Sequence, residues 1–172
     1  MKRLFLTIIY RGDIYMTVTS NIKWKKLTVC TAVPLLVGGL ASLISKSGFA
    51  KYAEMPKPAL SPPAWLFPVV WTILYILMGI SSYLVYTNNS SLKKSGLTIY
   101  TIQLFINFLW PVFFFNLNAY LFAFVWLILL WSFAVAMTVI FYRINKTAGL
   151  LQIPYIVWLT FAAYLNLAVY LM

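Results

Sequence analysis

The stretch from Ser95 to Tyr142 holds 48 residues without one charged side chain. As a continuous helix it would run about 72 Å, more than twice a hydrocarbon core of roughly 30 Å. It therefore has to turn once, and Asn116-Leu117-Asn118 is the polar break near its middle. That gives two spans, at about 97–115 and 119–142. Further charge-free runs extend from Leu27 to Ser45, from Ala64 to Leu92 and from Thr147 to the terminus. Each fits one more span, at about 27–45, 65–86 and 149–171. The runs are continuously apolar and lack the period-two alternation of a membrane barrel. The expected fold is all-α: an integral membrane bundle of five transmembrane helices, one domain over residues 23–172.

Composition agrees, since 63% of residues are hydrophobic and 9% charged, far too apolar for a soluble chain of 172 residues. Thirteen Lys and Arg stand against Asp13 and Glu54. The basic residues are scattered over short connectors instead of forming one patch, so they read as topology signals and headgroup contacts; nucleic acid is not an expected partner, and membrane lipids are. With five spans, one side carries Lys2, Arg3, Arg11, Lys23, Lys25, Lys26, Lys93, Lys94, Arg143 and Lys146, and the other only Lys46, Lys51 and Lys57. This bias places the N-terminus in the cytoplasm. Residues 1–22 begin like a signal peptide, but Arg11 and Asp13 interrupt the apolar run and no small-x-small cleavage site follows. They read as a flexible extension, as a start assigned too early with Met16 as the alternative, or as an amphipathic segment lying on the membrane surface.

There is no histidine, no carboxylate within a span and no cysteine pair, Cys30 being alone. No metal site is expected, Ser or Cys nucleophiles lack a histidine base, and carboxylate-driven ion coupling lacks its carboxylate. Aromatic and amide chemistry remains. On the second span Pro68, Trp71, Tyr75, Met78 and Ser82 share one face; on the third Gln103, Asn107, Trp110 and Phe114 do; on the fifth Tyr155, Trp158, Ala162, Leu165 and Asn166 do. Interhelical hydrogen bonding or interface anchoring accounts for any one stripe. Three stripes turned toward one another would instead wall a flat, aromatic, lightly polar space suited to a planar lipophile.

Ahead of the second span, Pro58, Pro62 and Pro63 make a stiff approach to the 22 charge-free residues Trp65 to Tyr86, about 33 Å as helix. Lys57-Pro58, Pro62-Pro63, Trp65, Val70-Trp71-Thr72, Leu74-Tyr75, Met78-Gly79 and Tyr83-Leu84-Val85 in this region carry a resemblance. So do Val37-Gly38-Gly39, Gln103-Leu104, Asn107, Trp110-Pro111, Phe113-Phe114, Pro154-Tyr155, Trp158, Phe161-Ala162 and Leu165-Asn166. Over about residues 27 to 172 the chain resembles the translocator protein (TspO/MBR) family, also called tryptophan-rich sensory proteins or peripheral-type benzodiazepine receptors, and looks like a bacterial member. The resemblance implies a homodimeric five-helix bundle in the cell membrane. It implies a cavity for tetrapyrroles such as protoporphyrin IX, or for similar planar lipophiles, under the first loop, with a transport or regulatory role and no required cofactor.

It also implies the alternative of a light-dependent porphyrin-degrading enzyme, with Trp71 and Trp158 as its catalytic residues. A third reading is a structural or assembly protein packed through the Gly38-x-x-x-Ser42 ridge. The candidate ligand-binding residues are Pro68, Trp71, Tyr75, Gln103, Asn107, Trp110, Phe114, Tyr155, Trp158, Ala162, Leu165 and Asn166. At two first-loop positions where the family pattern carries tryptophan, this chain has Lys51 and Leu60, so a less aromatic lid is expected. Neither Tyr164 nor Tyr170 is followed by a basic residue, as the animal sterol pattern requires, and sterol recognition is not expected. Haem is a poorer fit than free-base porphyrin because histidine, the best axial ligand, is absent.

Overall fold

The computed structural model describes residues 22–54, 57, 58 and 60–172, without the side chains of 50–53. The expectations for residues 1–21 and for the Lys51 side chain lie outside the described residues. Helix α1 covers Trp24–Ile44, α2 Lys46–Glu54, α3 Leu66–Tyr86 and α4 Lys93–Pro111. A π-helical turn, Val112–Asn116, extends α4; α5 covers Tyr120–Ile144, α6 Lys146–Leu150 and α7 Ile153–Leu171. Five of these segments are long and apolar enough to cross a membrane, and no strand occurs among the described residues.

Packing follows the sequence periodicity. In α5, Ala123, Leu127, Leu130, Ala134, Met137 and Phe141 are fully buried at alternating spacings of four and three, which keeps one stripe toward α4 and α7. Lipid tails are as apolar as these side chains, so close fit and hydrogen bonds hold the helices together. Gly79 supplies fit: a Cβ there would overlap the backbone of Thr31, so α3 reaches α1 only with glycine. The Trp126 indole donates to the Ile106 carbonyl at 2.8 Å, and the Ser81 hydroxyl to the Ala148 carbonyl at 2.6 Å.

The turn between the third and fourth spans falls at the expected polar break, for a specific reason. Pro111 has no N–H to give the preceding turn, and the backbone widens into the π-turn, closed by Leu117 N–H donating to the Val112 carbonyl at 3.0 Å. Asn118 then takes the left-handed conformation, φ 51°, which asparagine tolerates better than most residues. Two features differ from the sequence reading. The first loop contains a helix, α2, separated from α1 by Ser45 alone. The fifth span begins with a separate turn, α6, whose N-terminus is capped by Asn145 Oδ1 accepting from Ala148 N–H at 3.0 Å. Pro154 then sits in the first turn of α7.

Candidate ligand cavity

A cavity of about 540 Å³ opens at the first-loop end of the bundle, between α1, α3, the α4 end with its π-turn, and α7. Ten of the twelve candidate residues line it: Pro68, Trp71, Tyr75, Asn107, Trp110, Phe114, Trp158, Ala162, Leu165 and Asn166. The three stripes therefore face one another. Trp71 stacks on Tyr75 with ring centroids 5.5 Å apart, and Trp110 stacks on Phe114 at 5.3 Å. Trp158 meets the edge of Phe67 at 5.9 Å. Gly38 fixes the wall opposite: any Cβ at that position would overlap the Tyr75 ring, so glycine lets the ring lie against α1.

Gln103 and Tyr155 do not line the cavity; they lie buried one layer beneath its floor. There they end a hydrogen-bonded chain that starts at the wall. The Tyr75 hydroxyl donates to Asn107 Oδ1 at 2.7 Å, Asn107 Nδ2 donates to the Tyr155 hydroxyl at 3.1 Å, and that hydroxyl donates to Gln103 Oε1 at 3.0 Å. Asn166 is engaged as well, accepting from the Trp110 indole at 3.2 Å and donating to the Tyr120 carbonyl at 2.8 Å. The wall amides thus serve the fold first. Two cavity-lining residues hold buried polar atoms with no protein partner among the described residues, Trp158 Nε1 and Ser61 Oγ.

Among the described lining residues the one charge is at the rim, where Lys57 is exposed. Lys46 does not line the cavity, and Leu60, exposed at φ 66°, contributes nothing to it. Gly38 and Ser42 both line the cavity, so the small-residue ridge proposed for protomer packing looks inward. Lining residues outside the candidate set include Phe49, Phe67, Phe115 and Leu35. Phe67 stands four residues before Trp71, a helical spacing that could have found it. Phe49 could not be found that way, because its place depends on α2 docking Phe49 against Phe115 at 4.2 Å. No group of three potential metal ligands occurs among the described residues.

The sequence pattern of the TspO/MBR family matches residues 30–171. A tryptophan-rich protein TspO of Chlorobaculum tepidum is 38% identical over 148 residues, covering 83% of this chain and 92% of that protein. The protein CrtK of Rhodobacter capsulatus is 38% identical over 123 residues, 70% of this chain and 77% of its own. The human translocator protein is 34% identical over 146 residues, 83% and 85% of the two chains. Match and similarity both run through the five membrane-spanning helices and the cavity between them, and the chain belongs to the TspO/MBR family of integral membrane proteins.

Proposed function

We propose that this protein is a membrane receptor for a tetrapyrrole such as protoporphyrin IX, or a similar planar lipophile, held in the cavity under the first loop. The observation that carries this is the convergence of Trp71, Trp110 and Trp158 with Tyr75 and Phe114 on one space of about 540 Å³. That size is within the range of roughly 300–1,000 Å³ that holds drug-sized ligands. The walls offer ring faces, and two lining residues, Trp158 and Ser61, hold a buried indole N–H and a buried hydroxyl with no protein partner among the described residues. Lys57 at the rim is placed to meet a ligand carboxylate such as a porphyrin propionate. Occupancy would sequester, transport or signal the ligand without any acid or base residue. The protein would sit in the cell membrane as a homodimer, N-terminus in the cytoplasm, as the excess of basic residues on that side favours.

The enzymatic reading has its own support, since Trp71 and Trp158 both reach the cavity. The scaffold reading loses its main argument with the inward placement of Gly38 and Ser42. One experiment separates the first two. Protein purified in the dark is titrated with protoporphyrin IX, followed by the Soret band and by tryptophan quenching, then illuminated. Saturable binding is expected, weakened about three- to tenfold by Trp110→Ala, the size of an aromatic contact of about 0.5–1.5 kcal/mol. Absence of saturable binding by the wild type overturns the receptor reading for porphyrin. Light-dependent loss of absorbance that Trp71→Phe and Trp158→Phe abolish while still binding would establish the enzyme. Equal bleaching by wild type, mutants and detergent alone would remove it.

A further inference from the structure

At the opposite end of the bundle a groove of about 270 Å³ runs between the last turns of α5 and the α6–α7 junction. Its sides are Val139, Leu150 and Ile153, and Arg143 stands at one end. The Thr138 hydroxyl, though on the lining, donates back to the Ala134 carbonyl at 2.8 Å, so it adds little polarity. Gly149 sets the shape: a Cβ there would overlap the backbone and Cβ of Tyr142, so α6 lies this close to α5 only with glycine.

Arg143 is exposed and has no ion pair or hydrogen bond among the described residues. The one acidic residue described, Glu54, is in α2 at the other end of the bundle. Lys146, three residues on, is exposed and adds a second positive charge. A topology role explains a cation at this boundary, and its position in the last turn of α5 suits the helix dipole. Neither requires an apolar groove beside it. A free guanidinium at the end of a spanning helix, next to a slot of exposed apolar side chains, has the layout of a headgroup contact with a place for the chain below it. The planar fork of arginine also matches two oxygens of a phosphate.

We infer that this groove binds an anionic phospholipid, its phosphate at Arg143 and an acyl chain along Val139, Leu150 and Ile153. Charge complementarity selects the headgroup, and the apolar sides of the groove select a lipid over a free anion.

The test is native mass spectrometry of the purified protein supplied with phosphatidylglycerol or phosphatidylcholine, alongside thermal unfolding with and without each lipid. Wild type should retain phosphatidylglycerol preferentially, and Arg143→Gln should lower that retention about fivefold, the effect of one basic residue at an anionic surface. Val139→Trp, which fills the groove and leaves the charge, should lower it as well. Lys94→Gln, on the same side but in the first turn of α4, should not. Unchanged retention in Arg143→Gln or Val139→Trp overturns the site, and an equal loss in Lys94→Gln assigns the preference to the general field of that face. If inorganic phosphate alone reproduces the thermal shift, the site takes a free anion and the lipid assignment fails. Should Arg143→Gln not fold, Arg143→Lys keeps the charge but loses the fork, and Val139→Trp still decides the acyl groove.

Discussion

Asn107 connects the wall of the cavity to the layer beneath it. It accepts from Tyr75 and donates to Tyr155, both buried bonds. Tyr75→Phe keeps the ring on Trp71 and removes one bond, which in membrane proteins costs about 0.6 kcal/mol on average. Asn107→Leu removes two and leaves the Tyr75 hydroxyl without its acceptor, a cost of roughly 1–3 kcal/mol. Thermal unfolding in detergent should therefore rank Asn107→Leu well below Tyr75→Phe. Equal midpoints for the two variants would mean that the chain of bonds is not formed. Spacing in the sequence put Gln103, Asn107, Trp110 and Phe114 on one face, but a face has no depth coordinate. Gln103 lies four residues before Asn107, about 6 Å further along the helix. That step takes it out of the cavity and into the floor. Tyr155 stands in the same relation to Trp158, three residues away. Periodicity identifies direction around a helix; how far the cavity reaches along it depends on where the neighbouring helices diverge, which no single segment encodes.

Among the elements, α1 and α3 show how a close crossing depends on one side chain. Gly79 abuts the Thr31 backbone, while Gly39, two turns from the start of α2, has nothing within 4 Å of the position a Cβ would take. Gly79→Ala should force the helices apart at an overpacking cost of about 1–3 kcal/mol. Gly39→Ala, in open space within a helix, should be neutral or slightly stabilising. Detergent melting curves of the two variants check this, and a Gly79→Ala protein as stable as the wild type would show that the crossing can relax. The spans were legible because charge-free runs and proline or asparagine breaks are one-dimensional signals. The helix α2 was not. Its sequence, KSGFAKYAE, is short, carries three charges and has no long apolar run. Gly48 fits against the Phe115 carbonyl and Phe49 packs on its ring, so α2 is held by the π-turn, a partner 60 or more residues away. The π-turn in turn is tied to α1 through Asn116 Nδ2 donating to the Ile44 carbonyl at 3.0 Å.

For the whole molecule, the two ends of the bundle differ in chemistry, and the difference makes a prediction about its orientation. The cavity, α2 and Lys57 lie at the first-loop end, whereas Arg143, Lys146, Lys93 and Lys94 crowd the other with the lysines that open α1. Basic residues in short connectors stay on the cytoplasmic side. The cavity should then open outward, and the lipid groove should meet the cytoplasmic leaflet, which is the side where anionic headgroups attract basic residues. Exposed positions at the two ends make this measurable, since Ser47 lies in α2 and Asn89 between α3 and α4. Single cysteines at these sites, in a Cys30→Ser background, are treated with a membrane-impermeant maleimide on intact cells and again after permeabilisation. Ser47→Cys should label in intact cells and Asn89→Cys only once the membrane is opened. The reverse pattern would turn the cavity toward the cytoplasm and make its ligand one supplied from inside. Labelling of both from one side would contradict the odd number of crossings between them, because α3 alone separates the two positions.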